Sequence, residues 1–273
     1  MTVRHPVVAG QFYPNSEMQT RAEIEGAFLS PLGPGEGPEV VKKGERSIVG
    51  AVVPHAGWMY SGPVAAHVYA ALARDGFPET FIIIGPNHQG AGAPVATTTQ
   101  DFATPLGSAT VDQDIVRRLG RLVVDDPMAH RFEHSIEVQI PFLQYLGGGI
   151  RFVPISMSAQ DPQTAAETAS EISDAIDGKD VVILASSDMS HYVPREVAKE
   201  KDAAVIDRVL AMDAAGVYDE VARRSVSMCG YGPVMTMMMA CGGTRAELLK
   251  YASSGDVSPM REVVGYAGIV VRR

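Results

Sequence analysis

The sequence predicts an α/β fold, a single domain with a mixed, mostly parallel sheet and helices on both faces. Three observations predict it. Apolar runs of strand length ("SIVGAVV", "TFIII", "IRFVPISM", "DVVILAS") recur along the chain. Each is apolar through most of its length, as strands buried on both faces are. Helical patterns separate several of them, the spacing that parallel strands with helical crossovers require. With 273 residues, 46% of them hydrophobic, the chain can bury a sizeable core. No internal repeat or long low-complexity tract divides it, so 1–273 is read as one domain.

Taken in order, an opening helix precedes the Pro- and Gly-dense stretch "SPLGPGEGPEVVKKGER" at 30–46. This stretch reads as a mobile surface loop, because about thirty residues ahead of it are too few for an independent core. "SIVGAVVPH" is a buried strand. "PVAAHVYAALARDG" is a helix with Val64, Val68, Ala71 and Leu72 on one face and Gly76 as its stop. "TFIIIGPNH" is a second buried strand, "SATVDQDIVRRLGR" a strand edge followed by a helix, and "SIEVQIPFLQYLGG" a helix ended by glycines. "IRFVPISM", "PQTAAETASEISDAIDG" and "DVVILASSDMSH" give strand, helix, strand. The helices "AKEKDAAVIDRVLAMD" and "AAGVYDEVARR", the Met-rich segment "GPVMTMMMACGG" and late strands around "AELLKYASSG" and "EVVGYAGIVVRR" complete the chain.

Composition narrows the function classes. A net charge of −9, with basic residues clustered no further than pairs such as Lys42-Lys43 and Arg223-Arg224, argues against a nucleic-acid footprint. No run reaches the length of a membrane span, and "MTVRHPVVAGQFYP" lacks the pattern of a signal peptide, so a soluble cytoplasmic protein is expected. Two cysteines, Cys229 and Cys241, cannot build a disulfide framework. The expected partners are small molecules or proteins.

Unusual polar residues fall just past strand ends. His55 follows the strand at 48–53, His88 the strand at 81–85, and Asp188 with His191 the strand at 181–185. Open α/β sheets bind ligands at the carboxyl edge, so parallel strands would deliver these groups to one rim. Two imidazoles on a rigid rim suit a borderline transition metal, whereas a phosphate would need a glycine loop and a basic residue that are missing here. The third donor is open between Cys229 in "SMCGYGP", whose thiol a following helix start would activate, and Glu133 or Glu137 in "RFEHSIEVQIP". Any single histidine is more often a turn or packing residue, and His5, His67 and His130 are read so. Cys241 and the methionines from Met235 to Met239 read as core, since consecutive methionines point around a helix. His134 and Glu137 have two readings, a capping network with Ser135 at a helix start, or a pocket donor at His134.

The strings "AGQFYP", "PHAGWMYSG", "IIIGPNHQG", "EHSIEVQIPFLQYL", "FVPISM", "SSDMSHY" and "CGYGP" resemble, in this order and along nearly the whole chain, the Memo-like family, also named AmmeMemoRadiSam system protein B. That family is similar in fold to class III (LigB-like) extradiol dioxygenases, which bind non-haem iron(II) and cleave catechol rings. The resemblance implies that His55 and His88 are metal ligands and that Cys229 stands where Memo-like proteins carry a cysteine. It implies that Asp188 and His191 line the pocket, with His191 as acid/base histidine, and that His134 is a further pocket histidine. The dioxygenases complete their metal set with a glutamate, so a cysteine there alters the redox behaviour. The family further implies iron(II) or copper as cofactor. Animal members resemble scaffolds in receptor-driven cell motility with a copper-dependent oxidase activity, and microbial members occur with AMMECR-like and radical-SAM proteins.

Three functions follow as expectations. The first is a metal-dependent redox protein using His55, His88 and Cys229, with His191 moving a proton. The second is a non-enzymatic module that binds a small ligand or peptide in a groove where Trp58, Tyr60 and Tyr192 stack on it. The third is a ring-cleaving dioxygenase, which needs a carboxylate from Glu137 or Asp188.

Overall fold

The structure, a computed structural model, describes residues 3–273. Its strands, in chain order, are β1 (Val3–Arg4), β2 (Ile48–Val53), β3 (Thr80–Pro86), β4 (Val95–Thr97), β5 (Asp101–Thr104), β6 (Gly107–Val111), β7 (Val124–Asp125), β8 (Arg151–Met157), β9 (Val181–Ser186), β10 (His191–Val193), β11 (Arg245–Ser253) and β12 (Val263–Arg272). Its helices are α1 (Glu17–Leu29), α2 (Trp58–Asp75), α3 (Gln113–Val116), α4 (Ile140–Gly147), α5 (Pro162–Ala175), α6 (Arg195–Leu210), α7 (Ala214–Arg224), α8 (Tyr231–Ala240) and α9 (Ser254–Val257).

The centre of the sheet is a parallel block in the order β6, β8, β3, β9, β2. Every residue of β2, β3 and β9 is buried, as continuous apolar runs require. Beyond β2 the sheet turns antiparallel through β12, which pairs with β11 and at its start with β10. The mixed, mostly parallel sheet agrees with the sequence.

Helices cover both faces, and two glycines show where they press closest. A Cβ on Gly50 in β2 would lie 2.5 Å from Sδ of Met237 in α8. A Cβ on Gly268 in β12 would lie 3.0 Å from the carbonyl oxygen of Val64 in α2. Because Gly50 pairs with Val271, Gly268 points to the opposite face, so α2 and α8 sandwich the sheet between them. Met235, Met237 and Met238 are buried and Cys241 packs under Gly50, as the core reading expects, but Met239 is exposed, because it falls on the solvent side of α8.

Two local readings change. Helix α2 begins at Trp58 rather than Pro63, because the N-terminal segment supplies an acceptor for its first turn: Trp58 N–H donates to the Phe12 carbonyl at 2.8 Å. The stretch after Ser135 enters as a 3₁₀ turn, Glu137–Gln139, before α4 begins. Positions 30–46 carry no regular element, as the loop reading expects, and Val41 N–H donates to the Ala73 carbonyl at the end of α2 at 2.9 Å. Among the described residues no helix is long and apolar enough to cross a membrane.

Candidate metal centre

Strands β2, β3 and β9 run parallel, so their carboxyl ends meet at one edge. His55 lies two residues past β2, His88 two past β3, and Asp188 two past β9. Cys229 arrives from the loop before α8, one residue ahead of its N-cap Gly230. One donor atom each from His55, His88 and Cys229 lies within 4.8 Å of the others. A second group of three, His88, Glu133 and His134, meets the same distance and shares His88.

Each imidazole is aimed by a partner on its Nδ1. His88 Nδ1 lies 2.9 Å from Oε1 of Glu133, a buried carboxylate that also accepts the N–H groups of His88 (2.6 Å), His134 (2.9 Å) and Ser135 (2.8 Å). Burial alone would raise the Glu133 pKa, but its bond to His88 and the charges of His88 and His134 outweigh burial and hold it at about 2. An ionised carboxylate only accepts, so His88 donates through Nδ1 and its Nε2 is free. His191 places Nδ1 2.7 Å from the Ser227 carbonyl and its own N–H on Ser227 Oγ at 2.7 Å, which likewise frees Nε2. His55 Nδ1 is 2.9 Å from Ser186 Oγ, and its Nε2 is 3.2 Å from Cys229 Sγ.

The electrostatics favour neutral imidazoles at His55 and His134. Burial, then the charges of His134, His88 and His191, holds the His55 pKa well below the usual histidine range. Burial brings that of His134 to about 4. The ring of His134 stacks on His88 at 4.6 Å between centroids and meets Phe12 at 4.7 Å. Asp188 is buried, accepts the N–H of His55 at 2.8 Å, and is pushed up by burial to about 6. Burial and then the Asp188 charge push the Cys229 thiol up. The expectation of a thiol activated by a helix start is therefore corrected: desolvation outweighs the helix end.

His55, His88, His134, Asp188 and His191 line a cavity of about 500 Å³ that also presents Phe12, Tyr60, Tyr192 and Tyr266. Cys229 packs behind Asp188, whose N–H donates to Sγ at 3.2 Å. Of the residues singled out in the sequence, His55, His88, His134, Asp188 and His191 line this cavity and Cys229 groups with His55 and His88 beside it, whereas Phe12 and Tyr266 were missed. Nothing in "AGQFYP" marks Phe12 as a wall residue until the segment is seen to dock on α2.

Other expectations fall away. Glu137 is fully buried against the N-terminal segment, where it pairs with Arg4 at 2.7 Å and accepts from Val7, Val8 and Tyr13. It is a structural carboxylate and does not line the cavity. Ser135 caps no helix; its hydroxyl donates to the Pro86 carbonyl at 3.0 Å. Trp58 is buried, stacks on Tyr13 at 4.9 Å and gives its indole N–H to the Val138 carbonyl, so it is not free to stack on a ligand. His5, His67 and His130 do not line the cavity.

Comparison with known proteins agrees with the motif reading. The family profile described as Memo-like protein matches residues 4–270. This chain belongs to the Memo family. A MEMO1 family protein of Methanopyrus kandleri is 49% identical, over 99% of this chain and 99% of its own. One from Methanosarcina mazei is 47% identical, over 99% of this chain and 100% of its own. Among solved structures, the crystal structure of an uncharacterized protein from Escherichia coli K12 matches with a TM-score of 0.53 at 14% identity, covering 82% of this chain and 99% of that one. The last similarity speaks for the shared fold alone. Within this Memo-family chain, His55, His88 and Cys229 form a group able to hold a metal ion.

Proposed function

We propose that this protein holds a redox-active metal, iron(II) or copper, through His55, His88 and Cys229 and acts on a small molecule bound in the cavity above it. The observation that carries this reading is the convergence of three donor atoms within 4.8 Å from chain positions as far apart as 55 and 229. The donors fit a metal. Two imidazoles with Nδ1 engaged and a thiol form a borderline-to-soft set, and metal–ligand bonds of about 2.0 to 2.3 Å place such donors roughly 3 to 4 Å apart, as Sγ and Nε2 at 3.2 Å are. Glu133 behind His88 is the carboxylate–histidine arrangement that orients metal-binding imidazoles.

When bound, the metal supplies one-electron redox chemistry and a Lewis-acidic position. The chain supplies the rest. His191 keeps Nε2 as a proton acceptor at the cavity wall because Ser227 engages its Nδ1. Asp188, which burial pushes up from the usual carboxylate range, lines the cavity beside His55, whose N–H it accepts at 2.8 Å. Phe12, Tyr60 and Tyr192 give the cavity an apolar wall for a small organic ligand.

A second reading, a binding module without catalysis, is favoured by Tyr192, which is 74% exposed at the cavity mouth. A ring-cleaving dioxygenase would need a carboxylate at the metal, and Glu137 cannot supply it because Arg4, Val7, Val8 and Tyr13 occupy its oxygens. Anaerobic reconstitution with iron(II) or copper(I), followed by metal analysis of wild type and His55→Ala, tests the proposal. Stoichiometric metal in the first and its loss in the second is expected; equal metal content in both rejects it.

A further inference from the structure

Ser186 is the last residue of β9 and pairs in register with Val53 of β2, which places its hydroxyl beneath His55. That hydroxyl has three neighbours: His55 Nδ1 at 2.9 Å, the Ser135 carbonyl at 2.7 Å and Gln139 Nε2 at 2.8 Å. Ser135, Gln139 and Ser186 are all buried, so none of these bonds is exchanged for water.

The donors and acceptors can be assigned without seeing a hydrogen. Gln139 has its nitrogen 3.0 Å from the Pro54 carbonyl, and a carbonyl only accepts, so that atom is the amide nitrogen and not the oxygen. The amide oxygen then accepts from the buried Tyr69 hydroxyl at 2.5 Å, a contact consistent with that orientation. Gln139 therefore donates to Ser186. The single hydroxyl proton of Ser186 goes to Ser135, whose carbonyl can only accept. Both lone pairs of Ser186 are left to receive, one from Gln139 and one from His55. In the opposite tautomer the hydroxyl would have to turn to His55, and the buried Ser135 carbonyl would lose this donor.

We propose that Ser186, oriented by Gln139, is a positioning residue that locks His55 in its Nδ1–H tautomer, so that the Nε2 lone pair faces Cys229. The inference rests on the reading of His55 as a donor at that centre only for its functional meaning; the tautomer itself is a property of the metal-free chain. The result is a ligand whose proton and ring orientation are settled before any ion arrives, by residues from β9 and the 3₁₀ turn before α4.

The test is histidine ¹⁵N NMR of the full chain, stripped with chelator and held near neutral pH, with His55 assigned by its missing signals in His55→Gln. The proton of His55 is expected on Nδ1 in wild type. In Ser186→Ala the Nε2–H form is expected to appear, and cobalt(II) binding should weaken about 10- to 100-fold. An Nε2–H imidazole in wild type overturns the proposal, as does an unchanged Nδ1–H signal in folded Ser186→Ala. The wild-type measurement stands even if the variant fails to fold. Wild type that shows Nδ1–H but takes up no cobalt(II) supports the tautomer lock and counts against the metal reading, which keeps the two separable.

Discussion

Cys229 Sγ lies 3.2 Å from His55 Nε2, and the two residues are 174 positions apart in the chain. With Nε2 unprotonated, Cys229 carries its proton as a thiol that can donate to His55 Nε2 or to the Asp188 carbonyl at 3.6 Å.

Metal binding should therefore release that proton. Burial, with the charge of Asp188, keeps Cys229 a thiol through neutral pH, and an ion that takes the sulfur as thiolate must displace its hydrogen. Apparent affinity is expected to rise about tenfold per pH unit between about pH 7 and 9. Competition against a chromophoric chelator measures the slope; a flat profile in wild type contradicts a thiolate ligand.

Glu133 is expected to control both affinity and acid stability. Its carboxylate aims His88, so Glu133→Gln should weaken metal binding about 10- to 100-fold. Its pKa is lowered from 4.5 to about 2 in the folded state, so it adds stability at every pH above 4.5, and that contribution is lost as pH falls from 4.5 toward 2. Denaturant unfolding between those limits should show a shallower pH dependence in Glu133→Gln than in wild type.

Glu137 should behave as a structural residue. Its partner Arg4 is buried and also donates to the carbonyls of His130 and Glu133. Glu137→Gln leaves that guanidinium without its counter-charge, with an expected cost of about 3 to 5 kcal/mol. Folded Glu137→Gln should still bind metal in wild-type stoichiometry. Loss of metal from the folded variant would place Glu137 in the site.

Tyr192 is held in the left-handed region at φ 54°, where a side chain costs roughly 1 to 2 kcal/mol. The register of β10 against β12 shifts between His191 and Val193, so the strain sits at a bulge beside the acid/base candidate. With its ring largely in solvent, Tyr192→Gly should stabilise the fold by about 1 kcal/mol. Equilibrium unfolding reads this directly; destabilisation would mean that the ring packs against the fold.

The parallel core was legible because β2, β3, β8 and β9 are long apolar runs bounded by Gly, Pro or Asn. The two-residue strands β1 and β7 have no readable period, and β10 exists only through its pairing with β12. The rim was legible for a topological reason: polar residues just past buried strands must share an edge if the strands are parallel. Distance was not legible. Glu133 and Glu137 lie four apart in "EHSIE", and either could have been the carboxylate at the centre. In the structure one supports His88 and the other turns back to Arg4, a choice made by a salt bridge across 133 positions. The Cys229 thiol shows the same limit, since a sequence shows the helix that follows it but not the buried Asp188 beside it.

The most direct measurement of the central claim is elemental analysis of untagged protein reconstituted with iron(II) or copper(I) without oxygen, alongside Cys229→Ser treated identically. One metal ion per wild-type chain and a clear loss from the folded serine variant is the predicted result. Equal metal in both proteins, or none in either, would contradict a centre built from His55, His88 and Cys229.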